Sequence, residues 1–198
     1  MLDTSITDQS KGAIELKKVL LTLALMLMLS VLASAENDSV ATGPYMVSFD
    51  LGIPKSAYNV SISPPTESES LSGEKSIEYS LKITNESGLG RFAVIGIMRY
   101  EQDKSLPTGS DLANIINSVM IDWFDAGNIE VAAHKIDGAD GEVGSGDVLI
   151  SGISYKTFMA EFLPVIDRKH LMVYIDSSFP WDEGTLQLLK TIHVEKVK

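Results

Sequence analysis

Hydrophobic and polar residues alternate along much of the chain, and a period of two residues predicts strands with one face towards solvent. The clearest alternating segments are residues 45–51, 58–62 and 77–83. Residues 92–98 are apolar at both odd and even positions, which indicates a central strand covered on both faces. A further strand is predicted to begin with residues 129–133, and others are predicted at 153–163, 170–175 and 192–197. A Ser- and Glu-rich segment at 66–75 predicts an exposed loop.

A different period, close to 3.6 residues, predicts one long helix at residues 110–126. Ser110 suits its N-cap and Gly127 suits its C′ position. The apolar stripe of this helix comprises Leu112, Ile115, Ile116, Val119, Met120, Trp123 and Phe124. We expect the stripe to pack on a sheet, with Val119 and Trp123 facing the strands and Trp123 inside the core.

The fold class follows from the ratio of helices to strands. A second, shorter helix is predicted at 180–191, where acidic residues suit the first turn. Two helices are too few to cross over between all the strands, so short turns and a mainly antiparallel sheet are expected. We therefore predict an α+β fold, with both helices packed on a mainly antiparallel sheet. Residues 43–198 form its single domain, and residues 36–42 form a short linker before it.

The N-terminal segment, residues 1–35, has the features of an export signal. A pair of lysines at 17–18 precedes an apolar run at 19–35, which ends in small residues at Ala33 and Ala35. This order is typical of a secretory signal peptide, cleaved here after Ala35. The run has 17 residues, the lower limit for a spanning helix, so an uncleaved N-terminal anchor is the alternative. In both cases the remainder of the chain leaves the cytoplasm.

Charge and cysteine content narrow the choice of partners. With 16 Lys and Arg against 27 Asp and Glu, the net charge is −11. Phosphate backbones and anionic headgroups repel such a surface, so we expect no nucleic-acid partner and no membrane contact except through an uncleaved residues 1–35. The absence of Cys excludes disulfides, thiolate metal sites and Cys nucleophiles. Sequons at Asn37, Asn59 and Asn85 permit glycosylation, and the strand pattern places Asn59 on a solvent face.

Four segments together resemble the PsbP-like fold group. They are the opening YMVSFDLG at 45–52, the turn Asp137-Gly138, the aromatic strand SYKTFMAEF at 154–162 and the closing TLQLLKTIHVEKV at 185–197. The group includes a photosystem extrinsic protein, a Ran-binding nuclear import factor and small bacterial lipoproteins. The opening and the ending are also similar to exported archaeal proteins of unknown function. The resemblance implies a non-enzymatic accessory or assembly protein, although fold does not fix function. The Cys that anchors the lipoprotein branch is absent, so that mode of anchoring does not carry over.

Motifs for common catalytic chemistry are missing from the sequence. The histidines, His134, His170 and His193, fall in predicted strands and do not have the helical spacing of a zinc protease. No G-x-S-x-G nucleophile elbow and no phosphate-binding P-loop occurs. A triad assembled from distant residues leaves a hydrolase as one alternative function.

An acidic, glycine-rich segment at 137–147 is the candidate metal site. Its carboxylates are Asp137, Asp140, Glu142 and Asp147. Carboxylate oxygens on a flexible loop suit Ca²⁺, although the spacing is not that of an EF-hand. The competing interpretation is a hairpin with Asp-Gly turns whose carboxylates face water. We expect the turn, with Ca²⁺ bound in the millimolar range or more weakly.

These observations leave an order of preference among functions. We expect an exported, non-catalytic accessory or protein-binding module of the cell envelope, secreted or at the cell surface, with no obligate cofactor. A module that binds Ca²⁺ or a small ligand through residues 137–147 is the alternative, and a hydrolase with dispersed catalytic residues is the second.

Overall fold

The structure, a computed structural model, describes residues 37–69, 75–85, 91–101, 107, 109–177 and 183–197. These residues belong to one compact unit. The predicted export segment at 1–35 and the predicted start of the short helix at 180–182 lie outside them. No helix among the described residues is long and apolar enough to cross a membrane.

The described chain is built of short and long strands with two α-helices. Before the first helix the strands are β1 (Asp38–Thr42), β2 (Tyr45–Phe49), β3 (Tyr58–Ile62), β4 (Thr66–Glu69), β5 (Lys75–Asn85) and β6 (Arg91–Tyr100). The central part comprises α1 (Gly109–Phe124), β7 (Gly127–Ile136), β8 (Ala139–Ile150), β9 (Ile153–Phe162), β10 (Val165–Ile166), β11 (Lys169–His170) and β12 (Met172–Ser177). The chain closes with α2 (Glu183–Thr191) and β13 (His193–Lys196).

The strands form a large sheet and a small one, and every strand pair is antiparallel. The large sheet has the order β3-β5-β6-β12-β9-β8-β7, with β4 continuing along the β3 edge of β5. The small sheet has the order β1-β2-β13, and β10 and β11 form a separate hairpin. The predicted α+β class with a mainly antiparallel sheet is confirmed.

The main core lies between one face of the large sheet and the layer formed by the small sheet and α2. It is built from alternating residues of the strands, which is why the period of two predicts most of them. Fully or almost fully buried members include Val47, Phe49, Leu81, Ile95, Phe158, Phe162, Ile175 and Leu188. The Thr191 hydroxyl ties α2 to the end of β2, because it accepts the N–H of Asp50 at 2.9 Å. Gln187 adds a hydrogen bond from Nε2 to the Asp50 carboxylate at 3.1 Å.

Helix α1 packs on the opposite face of the large sheet, against β7, β8 and β9. Leu112, Ile116 and Met120, spaced four residues apart, are buried there. Strand β8 carries glycines beneath them, and a Cβ at Gly144 would lie 2.4 Å from Ile116 Cγ2. The glycines therefore allow the helix to approach the strand closely. The predicted glycine-rich loop at 137–147 is wrong beyond its Asp-Gly turn, because residues 139–147 belong to β8.

The prediction that Trp123 lies inside the core is wrong, because this residue is 81% exposed. The apolar stripe of α1 is wider than the surface that the sheet offers it. One row, through Ile116 and Met120, meets the strands. A second row, through Val119 and Trp123, is turned by about 100° around the helix axis and runs beside the contact. Val119 is partly buried against the helix–sheet cluster, as predicted, and Phe124 packs against it as well, whereas Trp123 does not.

The end of α1 also differs from the predicted one. Asp125 has a left-handed φ of 51°, and the N–H of Ala126 reaches the Met120 carbonyl at 3.0 Å. The N–H of Asp125 itself reaches the Ile121 carbonyl at 3.1 Å, and this 5→1 bond at a left-handed C′ residue is a helix stop of the αL type. Asp125 occupies the C′ position that the sequence assigned to Gly127, since a short polar side chain tolerates the left-handed region.

Two segments predicted without regular structure are strands. Residues 38–42, assigned to a linker, form β1, where the buried Asp38 carboxylate contacts the Lys55 ammonium and the Tyr58 hydroxyl. Residues 66–69, assigned to a loop, form β4 along the edge of β5. All four β4 residues are exposed, so the hydrophobic pattern contains no signal for this strand.

Candidate binding groove

The structure separates the four acidic residues predicted as a metal site. Asp137 lies in the β7–β8 turn, whereas Asp140, Glu142 and Asp147 follow one another along β8. At about 3.3 Å per residue, Asp140 and Asp147 are about 23 Å apart along the strand. Within the described part of the chain, no group of three or more His, Asp or Glu side chains is arranged to hold a metal ion. The four residues therefore do not share one coordination site, and the weak Ca²⁺ affinity stays a prediction.

Three of these carboxylates have partners. Asp140 pairs with Lys135 at 2.7 Å, and both side chains are largely exposed. Asp147 pairs with Lys156 at 2.6 Å, and its hydrogen bonds to Lys156 and Asn128 lower the pKa of its carboxyl group. Asp137 contacts His193 Nδ1 at 2.8 Å and accepts the N–H of Val194 at 2.9 Å.

The side chain of Glu142, on β8, lies beside the first residue of α1. Its Oε1 atom is 3.3 Å from the position that a Cβ would take at Gly109, the first residue of that helix. A carboxylate there interacts favourably with the positive end of the helix dipole.

Asp137 is a structural residue that joins the β7–β8 turn to β13. Asp137 and Gly138 have φ values of 51° and 73°, so both central residues of this two-residue turn are left-handed. Ile136 and Ala139 pair directly across it, as expected for a type I′ hairpin, and the predicted Asp-Gly turn is confirmed. The carboxylate then fixes the first residues of β13 in the neighbouring sheet.

Replacing Asp137 with alanine is expected to lower the free energy of unfolding by about 1–3 kcal/mol, because the largely buried Val194 N–H loses its acceptor. Asp140→Ala is the matched control: this carboxylate has a surface ion pair, so the change should stay within about 0.5 kcal/mol. Urea denaturation of both variants checks the difference. Equal midpoints would show that the contact with β13 contributes nothing to stability.

The uncovered part of the large sheet forms a groove beside α1. Its volume is about 690 Å³. One wall is the second apolar row of α1, namely Ile115, Val119 and Trp123, together with Phe124. The floor is the sheet face of β5, β6, β12 and β9, which carries Glu78, Val94, Met98, Met159, Glu161, Met172, Tyr174 and Asp176. The predicted covering of the central strand on both faces is therefore incomplete, since Val94 and Met98 remain partly exposed.

Strand register fixes the order of side chains across the groove floor. Glu142 on β8 stands directly opposite Glu161 on β9, and Glu161 stands opposite Tyr174 on β12. Tyr174 in turn pairs with Gly96 on β6. A Cβ at Gly96 would lie 2.1 Å from Tyr174 Cε1, so the aromatic ring rests on the Gly96 backbone. From there the Tyr174 hydroxyl donates a hydrogen bond of 2.6 Å to the Glu78 carboxylate.

Glu161 is the most unusual ionisable group in this groove. Its side chain is 1% exposed. No hydrogen-bond donor among the described residues reaches its Oε2 atom. Burial raises the pKa of the Glu161 carboxyl to about 7. A buried polar atom without a partner is rare in folded proteins, and a perturbed carboxyl in a cleft is a feature of functional sites.

Clefts of about 580 and 670 Å³ also flank the contact between Asp137 and His193. The carboxylate there already has its donors, because both oxygens of Asp137 are hydrogen-bonded. The groove beside α1 differs in combining apolar walls with a carboxylate whose hydrogen-bonding capacity is not filled. Such a combination suits a ligand that offers both apolar surface and a hydrogen-bond donor.

No histidine is among the described residues that line this groove. His134, His170 and His193 lie in β7, β11 and β13, so their predicted placement in strands is confirmed. The sequence does not single out Glu161, because a lone acid between Ala160 and Phe162 has the spacing of an ordinary solvent-facing strand residue. The signal that could have marked it is the apolar residue two positions before it, Met159, on the same face of β9.

No family model matches this chain. No curated protein sequence matches it either. The PsbP-like resemblance therefore stays a prediction.

Proposed function

We propose that this chain is an exported, non-enzymatic accessory module that binds a segment of another cell-envelope protein in the groove beside α1. The observation that carries the proposal is the uncovered apolar face, with Trp123 81% exposed at its edge. Exposed large apolar side chains beside a pocket are typical of protein interfaces, and tryptophan is the residue most enriched among binding hot spots.

The chemistry of the lining also favours binding over catalysis. Its described residues offer carboxylates and one tyrosine hydroxyl, but no Ser, Thr, His or Lys. The methionines Met98, Met159 and Met172 form much of the floor. Because methionine side chains are flexible and polarizable, such a floor adapts to apolar side chains of different shapes. These described residues include no Ser, Thr or His to serve as the nucleophile or base of a serine-type hydrolase.

Export rests on the sequence of residues 1–35, and it has a direct test. N-terminal sequencing of the protein recovered from outside the cytoplasmic membrane is expected to begin at Glu36, because cleavage follows Ala35. A product that keeps the apolar run at 19–35 and sediments with membranes would instead establish the N-terminal anchor. Recovery of the protein only from the cytoplasm would contradict both forms of export.

Site-specific crosslinking tests the binding role. The photoreactive residue p-benzoylphenylalanine replaces Trp123, and the control replaces Glu195, an exposed residue of β13 in the layer on the other side of the large sheet. Irradiation of producing cells is expected to yield a discrete adduct with another envelope protein from position 123 only. Adducts of equal amount from both positions, or none from position 123, would contradict the proposal.

A further inference from the structure

We infer that the segment bound in the groove carries a lysine or arginine side chain, flanked by apolar residues, whose cationic head pairs with Glu161. This inference rests on the proposed function and specifies the chemistry of the partner. Three independent features of the groove support it: the buried carboxylate, the sign of the surrounding charge, and the shape of the apolar walls.

The buried carboxylate of Glu161 requires a donor. Its side chain is 1% exposed, and Oε2 has no hydrogen-bond partner among the described residues. An unpaired buried carboxylate is costly, and a guanidinium or ammonium group offsets that cost by supplying both N–H donors and the opposite charge. A neutral apolar ligand would bury the carboxylate further and supply neither.

The charged side chains that line the groove with Glu161 are carboxylates, and Lys82 lies on the same face of β5, opposite Val94. Glu142 faces Glu161 from β8. Asp176 lies on β12 two residues after Tyr174, the residue opposite Glu161, and therefore on the same face of the sheet. Glu78 on β5 adds another carboxylate through its hydrogen bond with Tyr174. The residues of α1 that line the groove are uncharged, and the described lining contains no Lys or Arg. The field in the groove therefore attracts cations and disfavours anionic segments.

The walls suit the remainder of such a segment. Lysine and arginine carry apolar stems that pack along hydrophobic surface while the charged head reaches a polar group. Val119 and Met159 provide that surface on two sides of the groove. The exposed ring of Trp123 at the edge offers a flat face for a neighbouring apolar side chain or for a guanidinium plane.

Proton linkage gives the pairing a characteristic pH dependence. Because burial raises the pKa of Glu161 to about 7, this carboxyl is largely protonated at pH 5.5 and largely ionised at pH 8. A bound cation stabilises the ionised form, so affinity is expected to rise about tenfold or more between these pH values. The other titratable groups around the site on this face of the sheet are Glu142, Glu78, Asp176, Tyr174 and Lys82.

The test uses a random dodecapeptide library displayed on phage, selected at pH 8 against the immobilised full chain. We expect the selected peptides to share a Lys or Arg with apolar neighbours, and to bind Trp123→Ala and Glu161→Gln about tenfold more weakly or worse. The matched control is Glu195→Gln, which removes an exposed carboxylate from the opposite layer and should bind as the wild type does. The wild type should lose affinity for these peptides between pH 8 and pH 5.5, whereas Glu161→Gln should not. A folding defect in the variant would not produce this difference in pH dependence.

The outcomes separate this inference from the proposed function. Peptides that depend on Trp123 but lack a basic residue, with Glu161→Gln binding unchanged, would overturn the cation pairing alone. Selected peptides that bind equally well to Trp123→Ala and Glu161→Gln, or no enrichment at all, would overturn the groove as the docking site as well.

Discussion

Replacing Glu161 with glutamine is expected to raise the free energy of unfolding by about 3 kcal/mol at pH 8. The carboxyl has a pKa of about 7 in the fold against an ordinary value of 4.5, and each pH unit of difference corresponds to about 1.4 kcal/mol. The sign follows from linkage: a raised carboxyl pKa means that the folded state binds the proton more tightly than the unfolded state. The destabilisation is therefore complete above pH 7, and it disappears below pH 4.5, where both states are protonated.

Urea denaturation at pH 8 and pH 4 measures this effect. The gain in Glu161→Gln should be present at the higher pH and nearly absent at the lower one. Glu195→Gln is the control, since its carboxylate is exposed and its removal should change stability little at either pH. Equal stability of wild type and Glu161→Gln at pH 8 would show that the Glu161 carboxylate is solvated or paired, which would remove the main reason for expecting a cationic ligand.

Replacing Ile116 with alanine is expected to lower the free energy of unfolding by about 2–5 kcal/mol, whereas Trp123→Ala should change it by less than about 0.5 kcal/mol. Ile116 is fully buried against Met120 and Met159, and Trp123 is 81% exposed on the same helix. The smaller residue should therefore be the more important one for stability. Thermal or urea unfolding of the two variants measures the contrast.

Met120→Ala provides a second member of the buried row and should resemble Ile116→Ala, since Met120 is fully buried as well. If Trp123→Ala instead lost several kcal/mol, the Trp123 ring would have to be buried in the fold. The groove would then lose its exposed aromatic edge, and the proposed docking surface would be untenable.

Local pattern predicts the elements of this fold well where one side of an element is buried. The strands β2 and β5 alternate clearly, and α1 shows its apolar stripe, because each of them faces a core on one side. The hydrophobic pattern does not predict β4, because all its residues are exposed and only its backbone pairs with β5. The glycines of β8 caused the opposite error. They indicated a loop, but they lie in a strand on which a helix packs closely.

The candidate site was harder to predict than the fold, for a physical reason. Which residues line the groove depends on how much of the sheet α1 covers. An amphipathic pattern predicts that the helix has an apolar face, but it does not give the width of the surface that covers this face. Trp123 looked like a core residue on spacing alone. Glu161 looked like a solvent-facing acid, because its burial arises from contacts of β9 with distant parts of the chain and its neighbours in sequence gave no sign of it.

The buried Glu161 carboxylate carries a cost in stability. A buried carboxylate without a donor destabilises the folded state, and residues kept for binding often do so. Filling the position with an apolar or amide side chain would make a more stable protein with an uncharged groove floor. Stability and ligand affinity are therefore expected to change in opposite directions in Glu161→Gln.

The most direct test of the docking site is a solution NMR titration of the protein with a peptide recovered from the library. Binding in the groove predicts that chemical shifts change for α1 residues 115–124 and for the groove-facing residues of β6, β9 and β12, including the methyl groups of Met98, Met159 and Met172. Signals from β1, β2 and β13 on the other side of the large sheet should stay in place. Shift changes centred on the small sheet or on the exposed edge strand β7, with the methionines of the groove unaffected, would contradict the account.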